Sequence, residues 1–151
     1  MEEEISDEYW KERLRIQPVK QEEKTDCCAA VAAMLTGTSI KDFKKMFGPA
    51  PKNGYWNCNV LDYAEKHNIF LVDWYEKKSY RGRLRKNQKA YVTVVSERYP
   101  EKTHAIYWDG NQIYDPHPEV EDGRDIRTYD VVRVIYLSLL GKPRKEKWKK
   151  K

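Results

Sequence analysis

The stretch Gln21-Glu22-Glu23-Lys24-Thr25-Asp26-Cys27-Cys28-Ala29-Ala30-Val31-Ala32-Ala33-Met34-Leu35 joins a polar turn to a run of small apolar residues. Asp26, or Thr25 before it, can cap a helix whose body runs from Cys28 to Leu35, and Thr36-Gly37-Thr38 stops it. The small side chains predict a closely packed central helix. Cys27 falls at its first turn, where unpaired backbone N–H groups and the helix dipole favour a thiolate. Cys28 lies one residue deeper and is expected to turn toward the core, where cysteine behaves as a small hydrophobe.

Downstream, Ser39 or Thr38 can cap a short helix from Lys41 to Met46, and Gly48 to Gly54 reads as a loop. Asn57 or Asn59 begins a third helical segment through Val60, Leu61, Ala64 and His67, with apolar residues at helical spacing. The pattern then changes to strands: Ile69 to Trp74, Ala90 to Val95, His104 to Trp108, Gln112 to Tyr114, and Val131 to Leu137. The fold class that follows is α+β, helical first and antiparallel sheet afterwards. Asp109-Gly110-Asn111 is a turn signal, so the strands on either side of it are expected to form a hairpin. That hairpin would bring His104 and Asp115 to the same end of neighbouring strands.

At 151 residues and 18.0 kDa the chain has the size of one domain, expected over residues 1–140. Residues 141–151 hold seven Lys or Arg against one Glu, a basic tail expected to be disordered. The formal charge of +5 is therefore concentrated there, and the rest of the chain is nearly neutral. A second basic stretch, Lys77 to Lys89, carries seven basic residues. Three cysteines cannot all pair within the chain, and a disulfide between the adjacent Cys27 and Cys28 would strain the backbone. Reduced thiols favour a cytosol-like compartment. Residues 2–8 are acidic with no apolar run behind them, unlike a secretory signal, and no stretch approaches the roughly 18 apolar residues of a spanning helix. The expectation is a soluble, cytoplasmic protein.

Gln21 lies six residues before Cys27, His104 is followed by Ala105 and Ile106, and Tyr114-Asp115-Pro116 ends the hairpin. In order and spacing this set resembles the papain-like cysteine peptidases, more specifically the small bacteriocin-processing peptidase domains and their C39-like relatives. The resemblance covers Gln21 to about Tyr136, nearly the whole expected domain. It implies Cys27 as nucleophile, His104 as general base and acid, and Asp115 as the residue that orients the imidazole. It also implies Gln21 and the Cys27 backbone N–H as donors of the oxyanion hole. Cys28 stands where the family usually has Gly, Thr103 stands where a Gly is frequent, and the interval from His104 to Asp115 is shorter than in many relatives. The implied activity is thiol-dependent hydrolysis of a peptide or isopeptide bond in a polypeptide substrate, with no cofactor.

Other residues have blander readings. His67 reads as a helix-terminal or partly buried side chain, and Trp74 and Trp108 as core or sheet-face aromatics. His117 reads as a loop residue that can line the cleft, and Trp56 either as a cleft wall beside Cys58 or as core. A zinc site drawn from Cys27, Cys28, Cys58, His67, His104 and His117 is disfavoured, because no Cys-x-x-Cys pair is present and adjacent cysteines fit a tetrahedral ion poorly. Two alternatives to hydrolysis stand beside it. One is another acyl transfer through the same trio, such as transamidation or deamidation. The other is an inactive peptidase-like module that binds protein, or nucleic acid weakly through Lys77 to Lys89 or through Lys142 to Lys151, with Trp148 available for stacking.

Overall fold

A computed structural model describes residues 19–23 and 25–138. The expected domain boundary at residue 140, the basic tail 141–151 and the acidic residues 2–8 lie outside the described residues. Three helices precede a five-stranded sheet. Helix α1 spans Cys27–Thr36, α2 Ile40–Phe47 and α3 Asn57–Lys66. Strands β1 Leu71–Glu76, β2 Ala90–Val95, β3 Thr103–Trp108, β4 Ile113–Tyr114 and β5 Val131–Leu137 follow, in the order β1-β5-β2-β3-β4 with every pair antiparallel.

Helix α1 is the centre of the molecule. Every residue from Cys28 to Leu35 is buried, so this helix has no solvent face of the kind an amphipathic surface helix shows. One side packs on β3 and the other on α2 and α3, and its alanines permit close approach. Gly37 ends it in the left-handed conformation at φ 73°. Helix α2 is capped by Ser39, whose side chain accepts from the Asp42 N–H at 3.1 Å. At the start of α3 the Asn59 side chain accepts the Trp56 N–H at 2.8 Å. Strand β1 begins two residues later than expected. The N–H of Ile69 is committed to the Ala64 carbonyl at 2.9 Å and closes the end of α3, so Ile69 is a buried plug between helix and strand.

The sheet is covered on both faces. Tyr91, Ala105, Tyr107, Ile135 and Leu137 join the core shared with the helices. Val92, Val94, Ile106, Val134 and Tyr136 face a second core closed by Leu84 and by the segment carrying Ile126 and Tyr129. Part of the basic stretch is structural and not a free ribbon. Arg85 pairs with Asp73 at 2.7 Å and lies over the Tyr136 ring at 4.2 Å, and the buried Lys89 donates to the Leu35 carbonyl at 2.9 Å. Among the described residues no helix is long and apolar enough to cross a membrane.

Strands β3 and β4 form the expected hairpin, with Trp108 opposite Ile113 and Tyr107 opposite Tyr114. Gly110 in its turn has φ 102°, and a Cβ there would sit 2.8 Å from the Gln88 nitrogen and 2.9 Å from the Asn87 Cα. Both the dihedral and the contact exclude a side chain. Gly110→Ala is therefore expected to destabilise the fold by about 2–3 kcal/mol, read as a lowered urea midpoint with an unchanged slope.

Candidate active site

Cys27 is half-buried at the first position of α1. The expected side-chain cap is absent. Asp26 occupies the cap position, but its carboxylate turns back to accept the Glu23 N–H at 3.1 Å and pairs with Lys44 at 3.1 Å. Burial of Asp26 explains the choice, since a fully buried carboxylate needs a cation and Lys44 on α2 supplies one. Among the described residues, Asp26 therefore places no side-chain oxygen on the first-turn N–H groups of α1.

His104 enters from β3, opposite Val94 of β2. Extending the β3–β4 register places Asp115 across from Ile106, so His104 and Asp115 are diagonal neighbours on one face. The side chains meet: His104 Nε2 lies 2.7 Å from Asp115 Oδ1. The other imidazole nitrogen is then the one available to Cys27. Asp115 is buried, and it also accepts the His117 backbone N–H at 2.9 Å and the Tyr129 hydroxyl at 2.7 Å.

The charges reinforce one another. A hydrogen bond from the Cys28 thiol draws the Cys27 thiol well below its ordinary value; burial opposes this, and the His104 hydrogen bond, its positive charge and the Ala105 N–H add to the lowering. Cys28 is correspondingly pushed up by the bond it gives Cys27, by burial and by the Cys27 charge. Burial alone would lower His104, but its bonds to Asp115 and Cys27 and their negative charges prevail and raise it to about 9. Asp115 is held below the usual carboxylate range: burial works against this and is outweighed by His104, the His117 N–H and Tyr129. The three shifts agree: Cys27 and Asp115 are drawn down and His104 is drawn up, so each charged form is favoured by its neighbour.

Gln21, Cys27, Cys28, His104 and His117 line one cleft of about 1000 Å³. The Gln21 backbone N–H donates to the Pro116 carbonyl at 2.8 Å, tying this residue to the Asp115 loop. Its side-chain nitrogen donates to the Glu23 carbonyl at 3.1 Å and keeps a second hydrogen to give. Cys28 is buried behind Cys27, 3.5 Å from the Tyr91 hydroxyl and 3.7 Å from the Tyr55 carbonyl, and Tyr91 donates to Asn57 Oδ1 at 2.6 Å. Trp56 is neither core nor cleft wall: it is 73% exposed, while its neighbours Tyr55 and Asn57 line the cleft. The cause is the N-terminus of α3, which directs alternate residues inward and outward around the Asn59 cap. His67 caps the end of α3 and packs on Tyr63 at 4.7 Å, as read from its position. Trp74 is 42% exposed on the edge strand β1, and Trp108 is half-buried with its indole N–H on the Arg85 carbonyl. Tyr129 and Lys20, whose Nζ donates to the Asp115 carbonyl at 2.8 Å, were not found by sequence reasoning, and no spacing rule marks either.

No protein-family model matches the sequence, and no curated protein matches it. Solved structures do. The peptidase domain of Streptococcus ComA, a bifunctional ABC transporter involved in a quorum-sensing pathway, aligns with a TM-score of 0.56 at 18% identity, over 82% of this chain and 98% of that one. A double-glycine-motif protease from an AMS/PCAT transporter, solved in complex with the leader peptide, aligns with a TM-score of 0.56 at 14% identity, over 84% of this chain and 94% of that one. The chain has their papain-like fold. One is a peptidase domain and the other a protease, both from transporters, and at these identities the shared feature is the architecture.

Alkylation kinetics test the charge arrangement. Iodoacetamide is expected to label Cys27 faster than Cys58 below pH 7, with a further step near pH 9 as His104 loses its proton. In His104→Ala the acid limb of the labelling curve should move to higher pH, because two of the influences that lower the Cys27 thiol are gone. Intact mass with peptide mapping reads both effects.

Proposed function

We propose that this protein is a cysteine peptidase that works through an acyl-enzyme on Cys27. The observation that carries the reading is the 2.7 Å contact between His104 and Asp115 beside a thiol at the uncapped start of the central helix, in an open cleft. Cys27 Sγ attacks the carbonyl carbon of the scissile amide, and the bond electrons move onto oxygen. Gln21 and Cys27 both line the cleft, which supports the Cys27 N–H and the Gln21 side-chain amide as the donors for that oxyanion. The imidazolium of His104 gives its proton to the leaving nitrogen, the C–N bond breaks, and a thioester remains. Neutral His104 then takes a proton from water, whose oxygen attacks the thioester, and the carboxylic acid leaves as the thiolate returns. Asp115 holds the imidazole in one tautomer and balances its charge throughout.

A polypeptide substrate is supported by the open shape of the cleft and by the fold shared with a protease solved with a leader peptide. That neighbour's double-glycine motif defines the first substrates to try. Cys28, Tyr55 and Tyr91 line the cleft beside Cys27, with Cys28 in contact with both tyrosines, and this bulk is our reason to try small residues on the acyl side first.

Peptides carrying Gly-Gly before the scissile bond are the test, followed by mass spectrometry of products with and without an added amine acceptor. Cys27→Ala is expected to abolish turnover, and Gln21→Ala to lower kcat by roughly 10²-fold, as for the loss of one oxyanion donor. Turnover that survives Cys27→Ala would reject the reading. Amide products in place of acids would move it to acyl transfer by the same residues.

A further inference from the structure

The buried Asp115 carboxylate has both oxygens engaged. Oδ1 takes His104 Nε2 at 2.7 Å and the His117 N–H at 2.9 Å, and Oδ2 takes the Tyr129 hydroxyl at 2.7 Å. A carboxylate gripped through one oxygen alone could turn about its Cβ–Cγ bond. The Tyr129 hydroxyl holds the second oxygen and removes that freedom.

Tyr129 is itself fixed. The Arg124 guanidinium lies over its ring at 4.0 Å from the centroid, and Arg124 also donates to Thr128 Oγ1 at 2.8 Å and to the Thr128 carbonyl at 3.0 Å while pairing with Glu97. The ring packs against the second core, a role that phenylalanine would fill equally well. The hydroxyl serves Asp115 alone among the described hydrogen bonds.

We propose that Tyr129 is a positioning residue of this site, whose hydroxyl locks Asp115 in the orientation that grips His104 Nε2 and thereby aims the other imidazole nitrogen at Cys27. The inference rests on the peptidase reading of Cys27, His104 and Asp115 and deepens it. The charged and titratable groups around Asp115 are His104 from β3, His117 after β4, Glu97 after β2, Arg124 and Tyr129 before β5, and Lys20 on its backbone oxygen. Tyr129→Phe removes one bond from this set and leaves the others.

The experiment compares the full chain with Tyr129→Phe in two measurements. Peptide turnover is expected to fall roughly 10- to 100-fold in kcat with KM unchanged, the scale seen when a group supporting a reactive side chain is removed. The NMR signal of the His104 Nε2–H reports the contact with Asp115 without any substrate. Its low-pH loss should shift to higher pH in the variant, because Asp115 loses a donor that stabilises its charged form. An unchanged kcat with an unchanged low-pH step overturns the proposal. So does a fall in activity that follows loss of folded protein while the signal of the folded fraction keeps its pH dependence. Wild-type protein lacking His104-dependent alkylation of Cys27 would sink the peptidase reading, and the NMR step would still decide whether Tyr129 governs the Asp115–His104 contact.

Discussion

A helix buried from Cys28 to Leu35 must be enclosed by other elements, and the enclosure of α1 organises this molecule. It needs β3 on one side and α2 with α3 on the other. Burying this apolar surface, at about 25 cal/mol per Å², fixes the axis of α1 against the sheet. Its N-terminus is thereby delivered to the end of β3 where His104 projects. The position of the thiol is a by-product of core packing, which makes it rigid.

The second level of order is electrostatic. A thiolate, an imidazolium and a carboxylate are each costly to bury alone, and the downward shifts of Cys27 and Asp115 with the upward shift of His104 mark each charged form as favoured by its neighbour. Asp115 is the most deeply buried of the three, with 3% exposure, and its carboxylate is met by His104, the His117 N–H and the Tyr129 hydroxyl. Cys28 adds a feature particular to this chain. Where the resembled family usually has glycine, a second thiol supports the charge on Cys27 from behind and fills the space beneath it.

The parts legible in the sequence are those governed by local rules. Alanine-rich α1 between a polar turn and Gly37, the Asp109-Gly110 hairpin and the apolar runs of β2 and β5 all follow from propensity and turn chemistry. The meeting of His104 and Asp115 followed from hairpin register, a local rule once the turn is placed. Contacts that depend on distant partners did not show. Asp26 read as a cap because Lys44, eighteen residues on, is visible only in three dimensions. Arg85 and Lys89 read as part of a basic stretch that could bind nucleic acid, yet Asp73 and the Leu35 carbonyl hold them against the body. Tyr129 sits fourteen residues beyond Asp115 in an irregular segment, where no periodicity points to it.

The strap formed by Lys20 and Gln21 has a mechanical side. Lys20 Nζ is bonded to the carbonyls of Asp115 and Val120, and the Gln21 N–H to that of Pro116. The polypeptide just before Cys27 and the loop that carries Asp115 are therefore one linked body. A displacement of Lys20 and Gln21 would pass through these bonds to the Asp115 loop, and the two would move together. Through Asp115, whose side chain meets His104, the register of this strap is tied to the position of the imidazole.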